Sequence, residues 1–570
     1  MKRPLLLILI PLLFSSLVYA APPDSGSLLR EQQQSPIKLP DQLPKPDESA
    51  VERAPLTDTA IKVVVKGFRF KGIAGLATGS ELQELLKGAI GKEQGLADLQ
   101  KLAQQVTSYL REKGFFLARA YLPRQDITEG IIEIAVISGR VDGGATIRTK
   151  APSRINNNIL QSMINNGVRS GQPLEEKQLE RSLMLINDLP GVSAKGTLER
   201  GTTYGSTKVL IDATEGSLFS GGISADNFGN RYTGSWRGTG FASVNDPFGI
   251  GDQLSLTMIG AENLYQGKVG YSAQILPNGL KGNLSFNALY YKLGEELASL
   301  DAHGYANTIS AGFNYPILRS RAFSLWTNVT YEYRMLDDYA SGSITKDRDI
   351  HAGTADLSSS SYDQLGGGAL TSVRLSVTTG NLQLGNSTDA QTDATTAKTA
   401  GSYAKFNYSV ARLQRLIKDV SLFGSVSGQL ATGNLDSSEK FILGGPTGVR
   451  SYPVGEASSD EGHSFTVELR YDTPLPTSYG SLQLVGFLDT GTVTLHKELW
   501  TNAVTTATGK NSYWLTGSGI GLNYSLSKRF ALRGTWARTI GSNDGRSTTG
   551  KDADNYSENN RFWLQATAWF

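Results

Sequence analysis

Asp489 lies in the stretch Gln483 to Gly491, where a period-2 alternation puts it on the side opposite Leu482, Leu484 and Leu488. If the leucines face an apolar medium, this carboxylate points the other way. There it could take a bidentate, charge-assisted bond from a guanidinium. Few other residues invite chemistry. The four histidines, His303, His351, His463 and His496, share no metal-ligand spacing, and the chain has no cysteine to complete a zinc site. No glycine-rich loop ends in Gly-Lys-Ser/Thr, so no nucleotide is expected. Gly517, Gly519 and Gly521 mimic part of a dinucleotide fingerprint, but they occupy alternate positions of a strand instead of preceding a helix. Carboxylates are plentiful, yet none is marked out as an acid/base pair. The expectation is a non-enzyme with no metal and no cofactor.

The elements that must hold such a buried charge follow from composition and pattern. The chain has 570 residues, with 55 Lys+Arg against 53 Asp+Glu and a net charge of +2. That length calls for at least two units. The charge balance lacks the basic excess of a nucleic-acid binder, so no nucleic acid is expected. With 63 Gly, 23 Tyr and 39% hydrophobic residues, and a mean hydropathy of -0.23, the chain is no helical membrane protein. It suits many short strands with aromatics at the interfaces.

Lys2 and Arg3 precede an apolar run from Leu5 to Val18, and Val18-Tyr19-Ala20 offers small residues for cleavage. Residues 1–20 therefore read as a secretory signal peptide, the run being too short for a spanning helix. Residues 21–58 read as a short helix, Ser27 to Gln34 with Ser27 as its N-cap, followed by a linker held extended by Pro36, Pro40, Pro44, Pro46 and Pro55. A helix on a tether can serve as a plug.

Residues 59–140 alternate strand, helix, helix, strand, strand. Ile61 to Phe70 is the first strand. Ser80 caps a helix carrying Leu82, Leu85 and Leu86, and Leu96 to Leu110 forms a second helix that Gly114 ends. Phe116 to Leu122 and Ile131 to Ile137 are strands. Residues 141–214 repeat the order, with helices over Ile155 to Asn165 and Leu174 to Leu189.

From residue 215 to 570 helical periodicity gives way to period 2. Phe465, Val467, Leu469 and Tyr471 alternate with polar partners, as do Phe562, Leu564, Ala566, Ala568 and Phe570. Strands of about ten residues match a tilted membrane span. At about 22 residues per strand and turn, the segment holds roughly sixteen strands. Asp356 to Gly401, rich in Ser, Thr, Gly and Asp, reads as a long extracellular loop. Phe570 places an apolar aromatic on the outward face at the C-terminus, a signature for insertion into the membrane.

Several motifs carry a resemblance. Tyr121, Leu122, Pro123 and Gln125, then Gly139, Arg140 and Val141, resemble the end of the first POTRA domain of two-partner secretion transporters, relatives of the haemolysin and filamentous haemagglutinin secretion proteins. Asn187-Asp188-Leu189-Pro190-Gly191-Val192 is similar to the matching stretch of their second POTRA domain. Asp226-Asn227-Phe228-Gly229 resembles their first barrel strands. Val449-Arg450-Ser451-Tyr452 resembles their loop-six tip, where Gly usually stands at the position of Ser451. Phe487, Asp489 and Gly491 match the barrel-strand motif that partners it.

The resemblance implies a transmembrane β-barrel of about 16 antiparallel strands preceded by two periplasmic α+β POTRA domains, in a Gram-negative outer membrane. It implies that Arg450 reaches Asp489 inside the lumen, and that the Ser451 departure costs the tip backbone freedom. The partners it implies are one large secreted exoprotein of the adhesin or cytolysin kind, outer-membrane lipid, and the barrel assembly machinery for the chain's own insertion. An assembly factor that inserts other barrels is the alternative, since it shares the architecture and loop-six motif. A passive porin would need no POTRA domains.

Overall fold

The computed structural model describes residues 22–33, 39, 62–149, 153–527 and 529–570. The expected signal peptide and most of the proline-rich linker lie outside the described residues. The tethered helix is α1, Ser25–Gln33. Its cap differs from expectation. Asp24 accepts from the Ser27 N–H at 2.9 Å, and the Ser27 hydroxyl accepts from the Asp24 N–H at 2.9 Å. Ser27 is thus the third helical residue in a reciprocal cap, and the charged Asp24 takes the N-cap.

Two α+β units follow. The first contains β1 (Lys62–Val64), β2 (Gly67–Lys71), α2 (Gly79–Leu86), β3 (Glu93–Gly95), α3 (Leu96–Glu112), β4 (Arg119–Tyr121) and β5 (Ile131–Ile137). The single strand expected over Ile61 to Phe70 is split, because the Lys66 and Gly67 N–H groups both turn to the Gly130 carbonyl. β1 pairs instead with β3. Thr78, not Ser80, caps α2, through a capping box with Glu81. Lys113 donates to Glu81 and, with the Thr78 bonds, pulls that carboxyl down to about 2. The second unit contains β6 (Arg140–Thr149), α4 (Asn157–Gly167), α5 (Glu176–Asn187), β7 (Val192–Arg200) and β8 (Ser206–Glu215). Both three-stranded sheets put the last strand in the middle, β2-β5-β4 and β6-β8-β7, with one parallel and one antiparallel partner. Each buries its own apolar core, around Leu82, Val106 and Ile132 in the first and Leu160, Ile164 and Ile211 in the second.

The remaining chain closes a barrel from β9 (Phe219–Asp226), β10 (Arg237–Asn245), β11 (Gln253–Gly260), β12 (Leu264–Gln274), β13 (Lys281–Lys292), β14 (His303–Arg319), β15 (Phe323–Ala340), β16 (Ser343–Asp363), β17 (Ala369–Leu384), β18 (Gly401–Ile417), β19 (Val420–Ala431), β22 (Glu461–Asp472), β23 (Ser481–Thr494), β24 (Ser512–Leu526), β25 (Phe530–Thr539) and β26 (Asn560–Trp569). A short helix, α6 (Ser387–Thr395), precedes β18, and a two-stranded hairpin, β20 (Phe441–Ile442) with β21 (Ser458–Ser459), lies between β19 and β22. Neighbours are antiparallel throughout, and β26 returns to β9. Closure pairs the strand edges, which a wall in hydrocarbon requires. Leu254, Leu256 and Met258 of β11 point out, alternating with less exposed Ser255 and Thr257. Among the described residues, no helix is long and apolar enough to cross a membrane.

Asp356 to Gly401 is not a loop: it holds the end of β16, all of β17 and α6. Leu357, Leu375 and Val377 face outward, and their Ser and Thr neighbours suit a wall whose other face is polar. Serine and threonine content alone hid a strand pair.

Candidate functional site: loop six and the N-terminal helix in the lumen

Residues 432–460, the sixth connection on the far side of the barrel from the α+β units, fold back between the strands. The tip is tied by short main-chain bonds, Val449 N–H to the Leu443 carbonyl at 2.7 Å and Tyr452 N–H to the Val449 carbonyl at 3.1 Å. Leu443, Val449 and Tyr452 then pack on Val493, Tyr513 and Leu515 of the wall.

This places Arg450 against β23. Its Nε donates to Asp489 Oδ2 at 2.7 Å and its Nη2 to Oδ1 at 2.8 Å, while its own N–H reaches Oδ2 at 3.2 Å. Nη1 donates to Glu468 at 2.7 Å. The guanidinium lies 3.5 Å from the centre of the Phe487 ring. Asp489 is fully buried and also accepts from Thr466. A buried carboxylate without its partner would cost about 3–5 kcal/mol. Gly491 leaves room for Leu443, since a Cβ there would collide with its side chain. Ser451 is buried with a backbone outside the left-handed region, so glycine is not required for its φ. Space for its side chain comes from Gly517, the partner of Asp489 on the neighbouring strand β24, where a Cβ would strike it.

Helix α1 lies in the same lumen. Leu28 and Leu29 are buried among Leu289, Tyr291, Leu336 and Ile350 of the wall. At its N-terminus, Asp24 pairs with Lys346 at 2.8 Å and Arg348 at 3.3 Å. Arg348 also meets Asp338 at 2.5 Å and Asp436 of loop six at 2.7 Å. The Ser25 N–H donates to Asp338 at 2.8 Å, as a helix N-terminus favours. Arg30 donates to the Lys440 carbonyl of loop six at 2.9 Å. Gln32 accepts from Arg237 at 2.7 Å, and Glu31 from Asn230 at 3.2 Å.

The motif residues of the first unit organise its junction with the second. The Gln125 amide accepts from the Glu133 N–H at 2.6 Å and donates to its carbonyl at 2.8 Å, standing in for a strand beside β5. Arg140 donates to Ala74 of the first unit and Gly171 of the second, both at 2.8 Å. Val141 is buried. Gly139 has φ 62° and no room for a Cβ beside Leu117. Tyr121, Pro123 and Arg140 border a groove of about 440 Å³ with Lys71, Glu133 and Tyr204. Leu122 packs against the first unit's core. Phe570 is exposed beside the closing strands, its N–H donating to the Gly221 carbonyl at 3.0 Å. It joins neither the lumen nor the groove.

Comparison with known proteins identifies the family and the fold. Residues 205–524 match the family described as haemolysin secretion/activation protein ShlB/FhaC/HecB. The chain belongs to that family. Residues 63–139 match the ShlB-type POTRA domain. The chain is 30% identical over 488 residues to the heme/hemopexin transporter protein HuxB of Haemophilus influenzae, covering 85% of this chain and 83% of the relative. It is 22% identical over 438 residues to the outer membrane transporter CdiB of Dickeya dadantii, covering 74% and 76%. The structure of CdiB from Escherichia coli superposes with a TM-score of 0.73 at 18% identity, covering 96% of each chain, which speaks for the fold. As a member of this two-partner secretion family, the chain is an outer-membrane transporter whose barrel spans the membrane and whose POTRA domain lies in the periplasm. The turns beside the α+β units are therefore periplasmic, and loop six starts from the extracellular side.

Sequence reasoning missed the charge network around Arg348 and the Trp563 indole, which donates to the Arg450 carbonyl at 2.7 Å. The signal available was charge at inward positions of β15 and β16; no spacing pointed to a partner on α1, more than 300 residues away in the chain.

Proposed function

We propose that this transporter captures an unfolded exoprotein in the periplasm and passes it through the barrel lumen without nucleotide hydrolysis. The observation that carries the reading is the position of α1. It is buried against the wall and held by loop six, yet residues 34–58 are all that separate it from the first POTRA domain. Such a helix closes the lumen at rest and leaves when cargo arrives. The two α+β units, 59–140 and 141–214, both serve as POTRA domains, ahead of a barrel over 215–570, with 21–58 as plug and tether. The groove at Tyr121, Pro123 and Arg140 offers an extended segment an apolar floor with hydrogen-bonding edges. Arg450 and Asp489 keep loop six seated so that the lumen holds its shape. Folding of the exoprotein outside supplies the pull.

The cargo is one large secreted partner of the adhesin or cytolysin kind. Outer-membrane lipid and the barrel assembly machinery are the other partners. The test compares culture supernatants and outer membranes with and without this gene. Loss of one large secreted protein with unchanged outer-membrane barrels is expected. Normal supernatants with depleted barrels would instead make the chain an assembly factor.

A further inference from the structure

The barrel wall has one weak join. β9 and β26 pair only from Gly222–Trp569 to Asp226–Gln565, the shortest pairing in the barrel. β9 ends at Asp226, but β26 extends to Asn560 on the extracellular side. That leaves Asn560 to Leu564 with no strand on this edge, where unmade backbone bonds are costly.

Asn227 fills the gap with its side chain. Its Oδ1 accepts from the Leu564 N–H at 2.8 Å, and its Nδ2 donates to the Phe562 carbonyl at 2.8 Å. Its main-chain N–H donates to the Leu564 carbonyl at 3.2 Å. One amide thus continues the ladder past the end of its own strand.

The same turn touches both elements folded into the lumen. Asp226 accepts from the Phe228 N–H at 3.0 Å and from Arg237 at 2.9 Å, and Arg237 donates onward to Gln32 of the plug helix. Phe228 packs edge-on against Trp563 at 5.9 Å, and Trp563 holds the Arg450 carbonyl.

We propose that Asn227 is a positioning residue that latches the extracellular half of the seam, its grip set by the plug through Gln32, Arg237 and Asp226. When α1 leaves, Arg237 loses one of its two partners and the turn that presents Asn227 slackens. The seam then yields beside the loop-six tip. This coupling rests on α1 being the plug; the latch itself is tested with α1 in place.

The test is single-channel conductance of the full-length protein in planar bilayers. Asn227→Leu, which can make neither side-chain bond, should raise the mean conductance several-fold. Asn227→Asp, which keeps the acceptor and loses the donor, should fall between it and the parent. Ser224 and Thr567 are directly paired across the seam with their hydroxyls 3.1 Å apart, and the chain has no cysteine of its own. Adding Ser224→Cys and Thr567→Cys to Asn227→Leu should restore parent conductance when oxidised and release it when reduced. Parent-level conductance in Asn227→Leu overturns the latch. So does a raised conductance that the oxidised bond leaves unchanged, because the leak would then lie away from the seam. Deletion of Ser25–Gln33 should raise conductance, and oxidising the paired cysteines in that background should lower it in part. Unchanged conductance on deletion overturns both the plug reading and the coupling.

Discussion

Arg450 and Asp489 meet in a two-pronged ion pair inside the barrel, with both carboxylate oxygens used and Glu468 taking the guanidinium's remaining arm. A lysine keeps the charge but has a single point of contact, so it cannot hold two carboxylates and stack on Phe487 together. Arg450→Lys should therefore lower secretion about tenfold or more, and Arg450→Ala should abolish it, each with normal barrel levels in the outer membrane. Immunoblots of supernatant and membrane fractions read both. Normal secretion by Arg450→Ala would remove loop-six seating from the mechanism.

Arg348 is the hub of the anchorage of α1, with three carboxylates, Asp24, Asp338 and Asp436, on one nearly inaccessible guanidinium. Arg348→Ala leaves those carboxylates facing one another, a change of about 3–5 kcal/mol against the docked state. The expected outcome is a plug that spends most of its time outside the lumen. Labelling of a cysteine replacing Ser25, which is fully buried in the docked helix, should speed up at least tenfold. Labelling at the parent rate would mean the anchorage lies elsewhere, in Leu28 and Leu29.

The Glu31 carboxyl adds a pH dependence. Burial pushes it up to about 8, and its Oε2 is buried without a hydrogen bond. The docked helix therefore holds a proton that the released helix gives up. Docking is fully favoured below the ordinary glutamate value of 4.5, and it weakens as pH rises toward 8. Asp24 does not offset this: although burial opposes ionisation, Lys346 and Arg348 hold its carboxyl well below its ordinary range. Channel openings should grow more frequent between pH 5 and pH 8, and Glu31→Gln should flatten the profile. A profile unchanged by Glu31→Gln assigns the titration to another group.

What could be read from sequence, and what could not, follows the range of the interactions. Ile131–Ile137 and Gly114 were legible because a strand's alternation and a helix's left-handed stop are local. The inward face of Asp489 was legible for the same reason, and its arginine only through resemblance to a family. Thr78 against Ser80, and Asp24 against Ser27, were misread because two capping residues stood within one turn and side-chain geometry decided between them. The Arg348 hub joins α1, two strands and loop six, and no local pattern reports a contact made only after the barrel closes.

Gly517 and Ser451 form a matched pair. A methyl at Gly517 would overlap the Ser451 side chain and press on the Arg538 carbonyl at 3.1 Å. Overpacking of this kind costs about 1–3 kcal/mol, and the softer partner is the loop-six tip. Gly517→Ala should reduce secretion several-fold by lifting Arg450 from Asp489. Adding Ser451→Gly removes the colliding atoms and should restore most of it. Failure of that restoration would place the damage in β24 itself.

The second α+β unit is seated on the barrel through an ion pair. Asp188, just past the end of α5, takes both arms of Arg319 from β14, at 2.8 and 2.7 Å. Lys281 donates to the Asp188 carbonyl at 2.6 Å, Arg181 to the Pro316 carbonyl at 2.6 Å, and Gly279 leaves no space for a Cβ beside Leu185. Two periplasmic turns thus grip one face of this unit, with Asp188–Arg319 as the directional element. The pair is four-fifths buried, so breaking it leaves a charge poorly solvated and lets the unit swing. Asp188→Arg and Arg319→Asp should each cut secretion about tenfold, by setting like charges in contact. The double exchange restores opposite charges in the same place and should recover a large part of the loss, since contacting pairs couple by about 0.5–3 kcal/mol. Secretion assays on the parent and the three variants, with outer-membrane levels as the control, decide it. If the double exchange is no better than the singles, the two residues act separately and the unit is held by its apolar seat around Leu185.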